Sequence, residues 1–211
     1  MFTDATVVGA GPVGLVLANE LARCGINFRI VEKLSTGSTW SKALMITSRT
    51  MTILENIGLH EDILSQATVI EGASFHFKQK PLGALSMGVN ADPTIRYPFA
   101  LVLQQPNIEE ALEKVLNKRG FFVERESEVS GLKPLKDYVE VTLKTGETMK
   151  ALYVVGCDGA HSFVRRSQPE WKFEGSPVNI LFAQCDATVA DPRVATTRGE
   201  FFAGTTGILT Q

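Results

Sequence analysis

Two hydrophobic patterns alternate along the first part of the chain. Apolar runs at Thr6–Val8 and Phe28–Val31 flank a segment that ends at Gly25. The apolar positions between them share one face of a helix: Leu15, Ala18, Leu21 and Ala22. A continuous apolar run is typical of a buried strand, and spacing of three or four residues is typical of an amphipathic helix. The pattern therefore predicts strand, helix, strand.

A glycine-rich turn joins the first predicted strand to the helix. Its residues are Gly9, Ala10, Gly11, Pro12, Val13 and Gly14. In this context Gly9 allows the tight turn, Gly11 lets the backbone approach a pyrophosphate, and Gly14 lets the helix pack on the strand. The free N–H groups at the helix amino end favour an anion. We predict a dinucleotide site here; the competing interpretation is a purely structural turn.

The second predicted strand ends in Glu32 and Lys33, which we include among the cofactor-binding residues. In a dinucleotide fold an acidic residue about 20 positions after the glycines accepts hydrogen bonds from the ribose. Glu32 holds that position. A carboxylate there favours a free 2′-hydroxyl over a 2′-phosphate.

Basic residues surround the next predicted helix. We expect Ser48 to cap this helix, Gly58 to end it, and a short helix to follow over His60–Ala67. Lys42 and Arg49 flank the expected pyrophosphate position, where either could supply a positive charge. The alternative is that both are solvated surface residues.

After these helices, residues begin to alternate between two sides of an extended chain, as in a β-strand. Residues 69–78 place Phe75 and Phe77 on one side and His76 on the other, and Pro81–Gly83 could turn the chain back as a hairpin. No carboxylate or nucleophile lies near His76 in the sequence. We therefore interpret His76 as a surface residue and not as a catalyst.

In the second half of the chain, the pattern predicts that two core strands are connected by β-strands and not by a helix. A strand over Phe99–Leu103 precedes a helix with Pro106 in its first turn, which stops at Gly120. Short strands over Phe121–Lys150 form a β-meander in place of a crossover helix, and Ala151–Gly156 reads as a buried parallel strand. Asp158 then falls at the carboxyl edge of the sheet, where ligands bind in such folds.

Composition narrows the possible functions. The 211 residues carry 21 basic and 23 acidic side chains, a net charge of −2, which gives no indication of a nucleic acid or an anionic membrane as partner. The three cysteines, Cys24, Cys157 and Cys185, show no metal spacing and fit a reducing cytoplasm. No stretch is long enough to span a membrane.

Three motifs together resemble group A flavin-dependent monooxygenases, the aromatic-ring hydroxylases of p-hydroxybenzoate hydroxylase fold. These are the glycine turn with Glu32, the segment from Ser41 to Leu54 with Gln105 beyond it, and the Cys-Asp-Gly-Ala-His-Ser-Phe-Val-Arg segment of residues 157–165. The resemblance implies that Asp158, Gly159 and Arg165 serve FAD and NAD(P)H, and that Gln105 lies near the ribityl or ribose region of FAD. Lys42 stands where the family usually has arginine, which keeps the charge and loses the bidentate fork.

The resemblance also implies a fold class and a domain division. We expect an α/β fold with a Rossmann-like FAD-binding domain over 1–72 and 98–168, joined by the β-meander crossover. An incomplete antiparallel substrate-domain sheet would occupy 73–97 and 169–211, with strands over Val178–Val189 and Glu200–Leu209. The family's second flavin segment, Gly-Asp-Ala-Ala-His, does not occur in the sequence. We therefore expect the chain to be either a fragment of a longer enzyme or a naturally shortened protein that completes itself through another chain.

The function implied is FAD-dependent hydroxylation of a small aromatic or polyketide-like substrate with NAD(P)H and O2. The flavin carries that chemistry, so no side chain is designated catalytic. An alternative is a truncated, non-redox relative that acts as a nucleotide-binding or assembly module. A simple NAD-dependent dehydrogenase is disfavoured because no catalytic His or Tyr–Lys set is present. Unpaired sheet edges could support a homo-oligomer or a complementing chain.

Overall fold

Three sheets and five helices make up the described part of the chain. The structure is a computed structural model, and it describes residues 2–38, 45–78, 80–86, 94–176, 197–203 and 208–210, the last by backbone alone. The predicted cofactor residue Lys42 and the strand predicted over Val178–Val189 lie outside these ranges. So does Cys185.

The elements follow the predicted order closely. The strands are β1 (Phe2–Val8), β2 (Phe28–Val31), β3 (Met45–Ile46), β4 (Thr68–Ile70), β5 (Gly72–Phe77), β6 (Lys80–Ser86), β7 (Ala100–Val102), β8 (Val123–Glu124), β9 (Val129–Pro134), β10 (Val139–Leu143), β11 (Thr148–Gly156), β12 (Arg198–Ala203) and β13 (Ile208–Thr210). The helices are α1 (Pro12–Arg23), α2 (Ser48–Ile57), α3 (His60–Gln66), α4 (Gln105–Lys118) and α5 (Phe163–Arg166).

The largest sheet confirms the predicted α/β fold with a β-meander crossover. Its strand order is β8-β2-β1-β11-β10-β9. Strands β8, β2, β1 and β11 run parallel, while β10 and β9 run antiparallel to their neighbours. In this register Val8 lies between Val31 and Gly156. The residues that follow these three strands therefore meet at one edge of the sheet.

Helices α1 and α4 cover one face of this sheet and are joined by a buried polar contact. The Asn19 side-chain amide donates to the carbonyl oxygens of Leu15 at 2.9 Å and Leu112 at 3.0 Å. Arg119 donates to the Asn19 carbonyl at 2.8 Å and to that of Ile57 in α2 at 3.0 Å. Because the oxygen of a helix carbonyl has two lone pairs, it can accept such a bond in addition to its helical one. The contact therefore joins three helices without breaking their own hydrogen-bond ladders.

Helix ends follow the glycines, with one difference at α2. Gly58 lies in the left-handed region at φ +91° and terminates α2, as predicted. The residue before the helix is Thr47, which is extended, and Ser48 is already helical. The predicted cap at Ser48 is therefore wrong by one residue.

The predicted hairpin is present, with its turn in a different place. Strands β5 and β6 pair antiparallel, and Phe77 lies opposite Lys80. Lys78, at φ +48°, lies in the turn. Pro81 lies inside β6 and not in the turn. Proline is tolerated there because β6 is an edge strand, and a register irregularity follows Phe75.

The second sheet is mixed, with the order β13-β12-β5-β6. Its outer pairs are antiparallel, as predicted, but the central pair β12 and β5 is parallel. The long stretch of chain between β5 and β12 includes β11 and most of the first sheet, and a crossover of that length permits parallel pairing. A third sheet, β3-β7-β4, is antiparallel. Among the described helices, none has the length and apolarity needed to cross a membrane.

Candidate functional site

Three segments that are far apart in the sequence meet at the carboxyl edge of the parallel strands. The turn after β1 is held to β2 by the Gly9 amide, which donates to the Val31 carbonyl at 2.8 Å. The segment after β11 is held to β1 by the Cys157 amide, which donates to the Val8 carbonyl at 2.7 Å. The glycine turn therefore lies between the ends of β2 and β11.

Two of the three motif glycines are required by the protein's own packing. Gly9 has φ +102°, and a Cβ there would lie 2.5 Å from the Cys157 carbonyl oxygen. A Cβ on Gly14 would lie 1.9 Å from the Gly9 carbonyl oxygen. No substitution fits at either position without backbone movement, because both clashes are with main-chain atoms.

Gly11 differs, because nothing in the described protein needs a glycine there. Its backbone is extended at φ −73°, and a Cβ would meet nothing within 4 Å. It immediately precedes Pro12, the first residue of α1, whose first-turn N–H groups have no intrahelical acceptor. Val13 beside it is 70% exposed. The open space in front of a helix amino end is what a pyrophosphate group needs.

Glu32 is clamped against the glycine turn. Its Oε2 accepts from the Ala10 amide at 2.8 Å, and its Oε1 accepts from the Leu34 amide at 3.0 Å. Each carboxylate oxygen keeps a further lone pair, so this arrangement can still receive hydrogen bonds from a ribose. Lys33 is exposed and has no contact with this group in the described structure.

Asp158 presents a buried acceptor without a donor. Its Oδ2 accepts from the amides of Phe163 at 2.6 Å and Val164 at 3.2 Å, at the start of α5. Its Oδ1 is buried and has no hydrogen-bond partner among the described residues. A buried acceptor without a partner costs about 1–3 kcal/mol. A hydroxyl-bearing ligand at this edge would satisfy it, and Gly159, at φ +77°, provides the turn beside it.

The two arginines after Asp158 bind their own loop. Arg165 donates to the Ala160 carbonyl at 2.8 Å, and its guanidinium lies 4.2 Å from the centroid of the Phe173 ring. Arg166 donates to the His161 carbonyl at 3.1 Å. The predicted site residue Arg165 therefore has an exposed aromatic ring on it and belongs to a fixed turn.

Cys157 is a partly buried thiol that packs against the core. A Cβ on Gly14 would lie 3.3 Å from the Cβ of Cys157, which places the base of this side chain against the glycine turn. Burial raises the pKa of Cys157, and the neighbouring charge of Asp158 adds to that effect. A thiol with a raised pKa is a poor nucleophile at neutral pH.

Gln105 is joined to a residue that the sequence reading missed. The side chain of Gln105 is buried, and its Nε2 donates to Glu109 Oε1 at 2.7 Å. Glu109 is only 5% exposed, and its Oε2 accepts from the Ser38 amide at 3.0 Å. The spacing of four residues on a predicted helix could have revealed that the two side chains are neighbours. The contact with the loop after β2 had no signal in the sequence.

Arg49 is not joined to the edge cluster in the described structure. It lies in the first turn of α2 and is exposed. The described contacts bring Gly9, Gly14, Glu32 and Asp158 to one edge of the sheet, with Gly11 in front of α1. The exposure of Arg49 is consistent with the alternative given above, that it is a solvated surface residue.

A carboxylate that is distant in the sequence lies beside His76 in the structure. His76 Nε2 is 2.7 Å from Glu200 Oε2, and the Phe202 ring stacks on the imidazole with centroids 4.5 Å apart. The parallel pairing of β5 and β12 creates this contact across a long sequence separation. The hydrogen bond from His76 lowers the pKa of Glu200, with Ser74 and the charge of Arg198 contributing to the same shift.

The opposite face of the second sheet is aromatic. Phe75 on β5 and Phe201 on β12 lie directly across from each other, with ring centroids 5.2 Å apart. Phe75 is 40% exposed and Phe77 is 42% exposed. The two faces thus separate a polar pair from an accessible stacking surface.

Comparison with known proteins identifies the family. The model of the family described as "FAD binding domain" matches residues 2–206. The chain is 30% identical to a rifampicin monooxygenase of Rhodococcus hoagii over 92% of this chain and 40% of the relative. It is 31% identical to a 3-(3-hydroxy-phenyl)propionate/3-hydroxycinnamic acid hydroxylase of Escherichia coli, over 78% of this chain and 30% of the relative.

Solved structures agree with this result. The OxyS anhydrotetracycline hydroxylase from Streptomyces rimosus matches 79% of this chain and 34% of its own, with a TM-score of 0.69 and 33% identity. PqsL of Pseudomonas aeruginosa, bound to 2-aminobenzoylacetate, matches 100% of this chain and 57% of its own, with a TM-score of 0.81. At 18% identity that match shows the fold alone.

These comparisons confirm the resemblance to flavin-dependent aromatic monooxygenases. The chain spans 40% or less of the length of the two curated relatives described above. The glycine turn, Glu32 and Asp158 fall within the matched residues 2–206. We conclude that this chain belongs to the FAD binding domain family, whose relatives include the monooxygenases of aromatic and polyketide compounds.

Proposed function

We propose that the chain forms the FAD-binding part of a monooxygenase that uses NAD(P)H and O2 to hydroxylate an aromatic or polyketide-like substrate. The observation that carries the proposal is the buried Oδ1 of Asp158, which has no hydrogen-bond partner among the described residues and lies at the edge where the glycine turn leaves open space. A ligand with a pyrophosphate and several hydroxyl groups fits both features. FAD has both.

The proposed cofactor residues divide by the part of FAD that each would contact. Gly11, Val13 and Gly14 would present the α1 amino end to the pyrophosphate, with Pro12 fixing the helix start and Gly9 the turn. Glu32 would accept from the adenosine ribose. The remaining proposed contacts are made by Lys33, Lys42, Arg49, Gln105, Asp158, Gly159 and Arg165.

Bound FAD would supply the redox chemistry, taking reducing equivalents from NAD(P)H and activating O2. The residues of this chain would bind and orient it. Glu32 and Asp158 would orient FAD by accepting hydrogen bonds from its hydroxyl groups. No described side chain is required to act as a nucleophile or a general base.

The substrate proposal rests on the second sheet. The stacked rings of Phe75 and Phe201 form an accessible aromatic surface that suits a planar apolar ring. The name of one relative, a 3-(3-hydroxy-phenyl)propionate/3-hydroxycinnamic acid hydroxylase, contains a phenyl ring of that kind. Accordingly, residues 73–97 and 169–211 would form part of the substrate-binding domain, and 1–72 and 98–168 the FAD-binding domain.

The proposal extends to partners and compartment. Cys24 and Cys157 are free thiols, which fits a reducing cytoplasm. Strand β6 forms an edge of the second sheet and exposes Leu82 and Leu85. Such an edge could pair with a second copy of the chain or with a complementing chain.

The visible absorbance spectrum of the purified chain after incubation with FAD and gel filtration tests the proposal. We expect a retained flavin spectrum, and NAD(P)H oxidation that increases with an aromatic substrate. Asp158→Ala should weaken FAD binding about tenfold or more, as expected when a buried hydrogen bond to a charged group is lost. Asp137→Ala, at an exposed turn residue, is the matched control.

The outcomes separate the alternatives. Binding of ADP without retention of flavin, in a chain that is folded by circular dichroism, would favour the nucleotide-binding or assembly module. Failure to bind either ligand would refute the proposed site. If Asp158→Ala and Asp137→Ala retain flavin equally well, Asp158 is not part of the proposed FAD site.

A further inference from the structure

One face of the second sheet holds a pair of titratable side chains that the proposed function does not use. This polar face carries Ser74, His76, Glu200 and Phe202 on the paired strands β5 and β12. The side chains of His76 and Glu200 are 21% and 22% exposed, so the pair is largely shielded from water but not closed off. On β6 the residue opposite His76 is the uncharged Pro81, and on β12 the charge of Arg198 acts on Glu200.

The contact with Glu200 determines which nitrogen of His76 carries the proton. Glu200 Oε2 lies 2.7 Å from His76 Nε2. The pKa of Glu200 is lowered, chiefly by its hydrogen bond from His76, so the carboxylate is ionised at neutral pH and can only accept. Nε2 is therefore the N–H group of the neutral imidazole. The other nitrogen, Nδ1, keeps a free lone pair.

Nδ1 of His76 is accessible to a ligand. Within the described ranges it has no hydrogen-bond partner, and it is not one of the fully buried polar atoms. The Phe202 ring stacks on the imidazole with centroids 4.5 Å apart and planes at 13°, which restricts rotation of the imidazole. Ser74 also hydrogen-bonds to Glu200. The imidazole is thus held at one nitrogen by a carboxylate and offers the other as a base.

The chemistry of such a base selects the kind of ligand. Proton transfer is most effective when the donor is not much weaker as an acid than the protonated acceptor. A phenol such as that of tyrosine has an ordinary pKa of about 10, whereas water, which resembles an aliphatic alcohol, has one of about 15.7. The Phe202 ring also adds apolar surface beside the imidazole. A phenol therefore suits this face better than a sugar or another aliphatic alcohol.

We propose that the polar face of the second sheet binds a phenol, whose hydroxyl group donates to His76 Nδ1 and transfers its proton there. The O–H bond breaks, its electron pair stays on the phenol oxygen, and an N–H bond forms at Nδ1. Glu200 neutralises the resulting imidazolium, and the proton returns to the oxygen or to water when the ligand leaves. The site goes beyond the proposed function, because it needs no FAD and lies on the face opposite Phe75 and Phe201.

The competing explanation is an ion pair that only holds the two strands together, and three variants separate the two roles. His76→Gln can still donate to Glu200 and still offers an acceptor oxygen, but it cannot take up a proton. Glu200→Gln removes the charge that would stabilise the imidazolium. His60→Gln makes the same chemical change in α3, outside the second sheet, and is the matched control.

The first measurement is the absorbance of 3-nitrophenol bound to the chain without cofactor. At neutral pH the free probe is mainly un-ionised, and its phenolate is distinguished by its yellow colour. For bound probe, we expect the ratio of ionised to un-ionised form to be about tenfold or more higher in the wild type than in His76→Gln, a shift of one pKa unit. Glu200→Gln should also lower the ratio, and His60→Gln should match the wild type. Equal ratios in the wild type and in His76→Gln, or no binding to the wild type, would overturn the proposal.

The second measurement follows the imidazole nitrogens of the three histidines by NMR in the wild type. Addition of 3-nitrophenol should convert His76 to the imidazolium form. Addition of 3-nitroanisole, whose methoxy group has no proton to donate, should not. A His76 signal that responds to neither compound, or equally to both, would overturn the proposal. This measurement also decides the question if His76→Gln does not fold.

The two measurements separate this inference from the proposed function, because neither uses FAD. A wild-type chain that does not bind FAD refutes the proposed function, and the two measurements with 3-nitrophenol still decide whether His76 accepts a proton. Conversely, a chain that binds FAD and leaves 3-nitrophenol un-ionised keeps the proposed function and overturns this site.

Discussion

At the scale of single residues, the three glycines of the glycine turn have different roles. Gly9 and Gly14 are required because a Cβ at either would collide with main-chain atoms. Gly11 faces open space with an ordinary extended backbone. A sequence pattern cannot separate these roles, since all three positions read simply as glycine.

This difference predicts that alanine substitutions at Gly11 and Gly14 affect the stability of the chain to different extents. Gly11→Ala should change the free energy of unfolding of the chain without cofactor by less than about 0.5 kcal/mol, the usual range for a surface change, and should still weaken FAD binding. Gly14→Ala should destabilise the chain itself by more than about 1 kcal/mol, because the backbone must shift. Urea unfolding and FAD titration of both variants check this. Equal unfolding free energies for the two variants would contradict it.

Glu32 serves the fold and the ligand together. The sequence predicted a contact with ribose, and the structure adds hydrogen bonds to the amides of Ala10 and Leu34. Glu32→Ala should therefore weaken FAD by about 1–3 kcal/mol, the cost of losing a charged hydrogen bond. It should also lower the melting temperature of the chain without cofactor.

Glu61→Ala, at an exposed position of α3, is the control for Glu32→Ala. Calorimetric titration with FAD and thermal unfolding measured by circular dichroism give the two readouts. Unchanged FAD affinity in Glu32→Ala would place the ribose elsewhere.

At the scale of elements, the first sheet was predictable and the second only in part. The hydrophobic patterns of α1 and of the strands around the glycine turn are strong and local. The glycines that end α2 and α4 are equally clear in the sequence. The turn of the β5–β6 hairpin was misplaced because Pro81 looked like a turn residue, although an edge strand accepts it. The contact of His76 with Glu200 could not be foreseen, because parallel pairing joins residues with no local relation in sequence.

The His76–Glu200 pair predicts an acid dependence of the second sheet. Because the pKa of Glu200 is lowered in the folded chain, its contribution to stability is complete above the ordinary glutamate pKa of about 4.3. That contribution is lost as the pH falls through the lowered value. Glu200→Gln should therefore flatten the fall in melting temperature below about pH 4.3.

Thermal unfolding of wild type and Glu200→Gln between neutral and acid pH measures this effect. The control is Glu71→Gln, at an exposed residue just before β5. An identical pH profile for wild type and Glu200→Gln would mean that the pair contributes no stability.

At the scale of the whole molecule, apolar surface lies along the sheets. Tyr153 on β11 is 70% exposed, although parallel strands of such folds are usually covered on both faces. Leu82 and Leu85 are 69% and 53% exposed on the edge strand β6. Surfaces of this kind favour association.

Self-association through β6 can be tested directly. We expect the chain to form dimers or larger species at micromolar concentration, and Leu82→Lys with Leu85→Lys to shift it towards monomer, because charges on an edge strand oppose pairing. Sedimentation velocity of both forms measures the distribution. Leu135→Lys, at a partly exposed position beside β9, is the control. A monomeric wild type would refute the expectation.

The pairing of β1 with β11 has a kinetic consequence. It places Phe2 next to Lys150, so the glycine turn meets Asp158 only after most of the chain has been drawn together. Contacts between such distant residues form slowly, because the intervening loop must close first. The ligand edge would therefore be among the last parts of the first sheet to form. Recovery of flavin binding during refolding should lag behind the recovery of helix signal.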